Sequence, residues 1–192
     1  MVQPIPEGAN SVIPHLIIRG AAKAMDFYKE AFGAVETRRA TMPGSDRIIH
    51  AEIRIGDSLV YLGDEFPEMG GRSPHALKGT PVHIHLWVAD VDDTFARAVE
   101  AGATVRMPLM DQFWGDRYGQ VEDPFGHYWS MGTHVADYTP EELEVRTREA
   151  MAKMPPPPPP KRKAAPKARK AAARPKAAAK KAKGPARSAR HK

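Results

Sequence analysis

The chain contains no cysteine. That excludes disulfide staples, thiolate metal sites and cysteine nucleophiles, and it suits a reducing compartment. No apolar run approaches the roughly 18–20 residues of a membrane span. The opening residues MVQPIPEGANSVIP have no basic stretch followed by an apolar one, so a secretory signal is not expected. A cytoplasmic location with no membrane partner is the expectation. A phosphate-cradling glycine loop is missing, and so is a serine–histidine–acid arrangement. From Lys153 onward the chain also lacks every aromatic residue, every Leu, Ile and Val, and every Asp and Glu.

That last absence divides the molecule. Of the 29 Lys and Arg residues, 15 lie from Lys153 onward, which leaves 14 against all 23 acidic residues in 1–152, a net charge of −9. An acidic body therefore carries a basic tail. The tail cannot bury enough apolar surface to offset an ordering cost of roughly 1–2 kcal/mol per residue, so residues 153–192 are expected to be disordered. Pro155 to Pro160 predict a stiff polyproline II spacer. The Lys/Ala/Pro repetition beyond them resembles the tails of histone H1-like bacterial proteins. It implies weak, non-specific nucleic-acid binding that falls steeply with salt. The tail has no stacking aromatics for reading bases. The plainer alternative is a solvated tail that meets nucleic acid, or its own acidic body, only incidentally.

The body repeats itself. PHLIIRG at 14–20 aligns with IHLWVAD at 84–90, and FYKEAFGA at 27–34 aligns with ARAVEAGA at 96–103. Each pair predicts a strand followed by a helix closed by Gly-Ala. Met25, Tyr28 and Phe32 make an apolar stripe at i, i+3, i+7, with Gly33 placed for a left-handed C-terminal residue. Asp90 is the expected cap of the second helix, with Val91, Phe95 and Val99 as its stripe and Gly102 as its stop. Three strands follow each helix: AVETRRATM, RIIHAEIRI and SLVYLGD, then ATVRMPLMD, RYGQVED and HYWSMGTH. Gly56-Asp57 predicts a two-residue hairpin turn, and Asp123-Pro124-Phe125-Gly126 a type I turn. Thr139-Pro140-Glu141-Glu142 reads as a capping box opening a last helix over 139–152. The expected organisation is an arm at 1–10, a body at 11–152 holding repeats near 11–66 and 80–135, and the tail.

This doubled unit resembles the vicinal-oxygen-chelate superfamily of glyoxalases, extradiol dioxygenases and bleomycin- or fosfomycin-resistance proteins. Several stretches are similar to its PhnB-like branch: IPHLIIRGAAKAMDFYKEAFGA, IIHAEIRIGDSLVYLGDE and MDQFWGDRYGQVEDPFGHYWSMGTH. The resemblance implies an α+β fold of two tandem βαβββ units forming a cup-shaped sheet. In metal-using members the first and last strands of each unit supply the ligands. By position those places are Ile13, Tyr61, His83 and Ser130, of which only His83 is a usual ligand. The glyoxalase and dioxygenase ligand set is thus absent, and no cofactor is expected with assurance.

Strand parity supplies the candidate site. In VHIHLWVAD, Val82, Ile84, Leu86 and Val88 are assigned to the helix-covered face, which leaves His83, His85 and Trp87 for the cup. His15 is the counterpart of His85. His50, Glu52 and Arg54 share one face of their strand. Tyr61, Tyr128 and Ser130 complete the lining, and His127 and Trp129 are assigned to the core. Trp114, Arg117 and Tyr118 carry two readings, a ligand-contacting loop or a dimer-interface hairpin. The candidate ligand-binding set is therefore His15, His50, Glu52, Tyr61, His83, His85, Trp87, Trp114, Arg117, Tyr118, Tyr128 and Ser130. Any of the histidines could equally be structural, and His50 and Glu52 could bond each other. Two functions follow: a homodimeric module holding a small polar or aromatic molecule, with a resistance or sequestration role; or a glyoxalase-type lyase or isomerase with a divalent metal on His15, His83 and His85.

Overall fold

The computed structural model describes residues 2–154. The basic tail beyond Met154, with its expected polyproline spacer, lies outside the described residues. The order of elements is β1 (His15–Ile18), α1 (Ala21–Phe32), β2 (Val35–Thr41), β3 (Ile48–Ile55), β4 (Ser58–Asp64), a 3-10 turn (Pro67–Met69), α2 (Pro74–Leu77), β5 (His83–Trp87), α3 (Val91–Glu100), β6 (Thr104–Asp111), β7 (Asp116–Glu122), β8 (Tyr128–His134) and α4 (Pro140–Lys153). The first repeat forms a four-stranded sheet in the order β1-β4-β3-β2, and the second forms β5-β8-β7-β6. In both, the first strand runs parallel to the last and the others are antiparallel. This is the tandem βαβββ architecture.

The expected stops and starts have visible causes. Gly33 takes φ 66° and returns its N–H to the carbonyl of Lys29, a left-handed geometry that costs a Cβ-bearing residue. The Asp90 side chain accepts from Asp93 N at the start of α3. Thr139 and Glu142 complete their reciprocal box. Gly126 N donates to Asp123 O across the turn.

The start of α1 has no side-chain cap of its own. Asp64, at the end of β4, accepts from Gly20 N and Ala21 N through Oδ1 and from Ile48 N through Oδ2. One carboxylate thus ties three elements and satisfies donors that a helix terminus leaves orphaned. A comparable latch holds the segment between the repeats. Glu65 accepts from Arg19 Nε at 2.5 Å and from Ser73 N and Oγ at 3.0 and 2.6 Å.

One core serves both repeats. α1 packs on α3, and the buried face of each sheet closes on the helix pair. Tyr28 and Phe32 of α1 lie 5.3 and 4.6 Å from the Trp129 ring of β8. Below them Asp123, buried at 3% exposure, accepts from Tyr28 Oη at 2.7 Å and Trp129 Nε1 at 3.0 Å. Its other oxygen takes the backbone N–H groups of Phe125 and His127. β5 alternates as its pattern predicts: Ile84 and Leu86 pack against the core, while His83, His85 and Trp87 are exposed. Both sheets therefore present an open face, away from the helices.

Candidate functional site

On the open face of the first sheet, register places His15, Tyr61, Glu52 and Arg38 side by side across four strands. The His50 ring stands edge-on to Tyr61 at 4.9 Å and to His15 at 5.9 Å. His50 Nε2 and Glu52 Oε1 are 3.2 Å apart, and Arg38 reaches the same oxygen at 3.6 Å. Burial, and then the neighbouring His50, lower the His15 pKa. The imidazole is thereby held neutral near pH 7.

The open face of the second sheet is built in rows. His83 stands edge-on to Tyr128 at 5.1 Å. The Arg106 guanidinium lies over that Tyr128 ring and pairs with Glu122 in the same row. In the next row His85 Nδ1 and Ser130 Oγ share a hydrogen bond of 2.9 Å. Gln120 Nε2 donates to Tyr118 Oη at 2.8 Å. Trp87 is 58% exposed, and its ring meets His85 at 4.6 Å. Tyr118 lies nearly parallel to His85 at 5.9 Å. Gly132 makes room for these rings, since a Cβ there would come within 3.3 Å of Trp87 and 3.6 Å of His85. Burial lowers the His85 pKa, with the Asp116 charge opposing, so this ring too is neutral.

The row continues to the β6–β7 hairpin. Trp114 stands edge-on to Tyr118 at 5.7 Å and donates Nε1 to Asp116 at 2.7 Å. Asp116 also engages His134 Nδ1 at 2.7 Å, while Asp137 takes Nε2 at 3.0 Å. The two carboxylates, Asp116 first, raise the His134 pKa. Trp114 also borders a cleft of about 770 Å3 beneath the end of α4, walled by Met107, Met110, Phe113, Met151 and Met154.

The candidate residues thus fall into two sets. His15, His50, Glu52 and Tyr61 line the first sheet; His83, His85, Trp87, Trp114, Tyr118, Tyr128 and Ser130 line the second. Among the described residues, no ring pair or hydrogen bond joins the two sets.

Arg117 joins neither set, which corrects the sequence expectation. As neighbours on β7, Arg117 and Tyr118 must point to opposite faces. Arg117 instead clamps Asp92 of α3 through Nε and Nη2, both at 2.6 Å, and reaches Asp111 at 3.1 Å. The same parity, applied to β7 and β8, would have added Asp116, Gln120, Glu122 and His134, which sequence reasoning missed.

The expected metal alternative also fails on donor chemistry. Among the described residues, no group of three or more His, Cys, Asp or Glu side chains is arranged to hold an ion, so His15, His83 and His85 do not converge within one chain. At the four positions of the family's ligands, Ile13 has no donor atom. Tyr61 offers a neutral phenol, and the Ser130 hydroxyl is committed to His85. The set does not fit a divalent ion.

Known proteins place this geometry in context. The sequence model of the Glyoxalase/Bleomycin resistance protein/Dioxygenase superfamily matches residues 12–131. An uncharacterized protein of Mycobacterium tuberculosis is 53% identical over 135 residues, 68% of this chain and 78% of that one. The crystal structure of TioX from Micromonospora sp. ML1 superposes with a TM-score of 0.51 at 27% identity, over 68% of this chain and 100% of that one. A PhnB protein from Bacillus cereus, described as a putative 3-demethylubiquinone-9 3-methyltransferase, shares the fold at 17% identity, with a TM-score of 0.50 over 65% of this chain and 99% of that one.

Proposed function

The chain belongs to the Glyoxalase/Bleomycin resistance protein/Dioxygenase superfamily, and from that premise we propose that it is a binding member of the fold. It holds a small polar or aromatic molecule against the open face of the β5–β8 sheet. The observation that carries this reading is Trp87, 58% exposed, with two further flat rings beside it in His85 and Tyr118. A large exposed indole beside further rings gains by being covered. Neutral imidazole, phenol and indole surfaces suit a flat, weakly charged ligand, and Gln120 and Glu122 supply polar groups around them.

The same reading makes the protein a homodimer. A second copy whose β1–β4 sheet covers this face would set His15, His50 and Tyr61 opposite Trp87. A two-fold contact of that kind is reciprocal, so each dimer would hold two such sites. The basic segment beyond Met154 adds a non-specific attraction to nucleic acid.

The test uses untagged protein. Light scattering at micromolar concentration should give the dimer mass. Denaturing extraction followed by mass spectrometry should yield a small molecule enriched with the wild type and depleted with Trp87→Ala, at unchanged melting temperature. Equal recovery from both proteins, a purely monomeric mass, or a stoichiometric divalent metal would overturn the reading. For the tail, DNA retention at low salt should disappear in a chain ending at Met154.

A further inference from the structure

A second cleft, bordered by His15 of the first open face, lies where edge strand β1 approaches edge strand β5 beneath α2. It measures about 340 Å3, within the size range of small-molecule pockets. Its walls are apolar, with Leu16 and Ile17 from β1, Ile84 from β5 and Leu77 from α2. Four polar side chains interrupt them, His15, Arg72, Thr80 and His127, and two of these, His127 and Arg72, offer unpaired hydrogen-bonding groups.

The first is His127. It is 9% exposed and lines the cleft, and its Nε2 is the one buried side-chain polar atom among the described residues with no hydrogen-bond partner. Buried polar atoms are almost always paired. Burial lowers the pKa of this ring, with the Asp123 charge opposing. The neutral ring carries one N–H and one lone pair, and whichever of the two sits at Nε2 has no protein partner. The second group is Arg72, exposed at the mouth of the cleft. Among the described residues it makes no ion pair or side-chain hydrogen bond, whereas Arg19 and Arg47 each find a glutamate.

We propose that this cleft binds a compact organic acid: a ring or short apolar chain with a carboxylate for Arg72 at the mouth and a hydroxyl, which can both donate and accept, for His127 Nε2. A guanidinium suits a planar carboxylate because it presents parallel donors. An unpartnered ring nitrogen in an apolar wall discriminates for a ligand that brings a hydrogen-bonding group, since a ligand without one leaves it orphaned.

The test is a titration of the full chain with 4-hydroxybenzoate, read from the histidine ring nitrogens by long-range proton–nitrogen NMR. The resonance of His127 Nε2 should move saturably. Benzoate, which lacks the hydroxyl, and 4-hydroxybenzyl alcohol, which lacks the anion, should each bind about tenfold or more weaker. Arg72→Met, at an exposed position, should keep its melting temperature and lose binding to a similar degree. Trp87→Ala should leave this titration unchanged, so failure of the open-face reading and failure of this one give different results. No saturation with 4-hydroxybenzoate below about 10 mM would overturn the proposal. So would equal binding of all three probes, full binding by Arg72→Met, or loss of binding in Trp87→Ala.

Discussion

Asp123→Ala should be among the most damaging single substitutions in the body. The carboxylate accepts four hydrogen bonds, from Tyr28 Oη, Trp129 Nε1 and the backbone N–H groups of Phe125 and His127. Tyr28 and Trp129 are 0% and 1% exposed, so water cannot replace the acceptor without opening the core. Each orphaned buried donor costs about 1–3 kcal/mol, and each turn contact about 1 kcal/mol. The expected loss is about 4–8 kcal/mol, against a total stability of about 5–15 kcal/mol for a domain of this kind. Tyr28→Phe removes one donor and leaves the carboxylate three partners, so about 1–2 kcal/mol is expected. Asp123→Asn falls between, because its amide N–H group faces donors that need an acceptor. Burial, and then the Asp123 charge, hold the Tyr28 pKa well above 10, so the phenol remains a donor across the working pH range. Urea unfolding followed by circular dichroism and tryptophan fluorescence should give the order Ala, Asn, then Tyr28→Phe in decreasing cost. An alanine variant within about 1.5 kcal/mol of wild type would refute the claim that orphaned donors dominate.

Three further outcomes are expected. His83→Ala should cost below about 1.5 kcal/mol because the ring is exposed, whereas Ile84→Ala should cost about 1.5–3 kcal/mol, less than a fully buried isoleucine because Ile84 is only half-buried; a reversed order in urea would invert the facing of β5. The raised His134 pKa means that its bonds to Asp116 and Asp137 stabilise the fold fully below its ordinary value of 6.5 and are lost as pH rises through the higher folded value, so His134→Gln should flatten the fall in melting temperature between about pH 6 and pH 8. Glu65, held down to about 2 by the Ser73 hydrogen bonds and then by Arg19, contributes above its ordinary 4.5 and stops contributing as pH falls through about 2; the destabilisation caused by Glu65→Gln should therefore shrink across that window in an acid titration of melting temperature.

Local patterns carried most of the architecture. The two-residue alternation of VHIHLWVAD fixes which of its side chains meet the helices, and Ile84 and Leu86 pack where parity assigns them. Caps, turns and helix stops are contacts between near neighbours, so the residues that make them sit together in the chain. The α1 start was not legible for the opposite reason: its cap, Asp64, lies 43 residues from Ala21. The Tyr28–Asp123 bond spans 95 residues, and nothing near either residue announces it. Arg117 was grouped with Tyr118 because strand parity was not carried into RYGQVED. As neighbours on a strand they diverge, Arg117 to Asp92 and Tyr118 to the open face.

The candidate site was legible in its chemistry and not in its assembly. Period two identifies every polar face of every strand, but it says nothing about which faces meet. Each sheet must cover one face with a helix, and here the two helices share a single core, which commits both polar faces to the outside. A sheet face that leaves Trp87 58% exposed beside Tyr118 gains stability when it is covered, by a ligand, a second copy or both. The cost of leaving it bare is therefore the physical link between the open faces of this chain and the dimeric binding module we propose. Arg117 locks α3 to β7 from behind, and Gly132 leaves the space in which the rings lie. The face is thus shaped in part by a residue behind it and by the absence of a side chain within it.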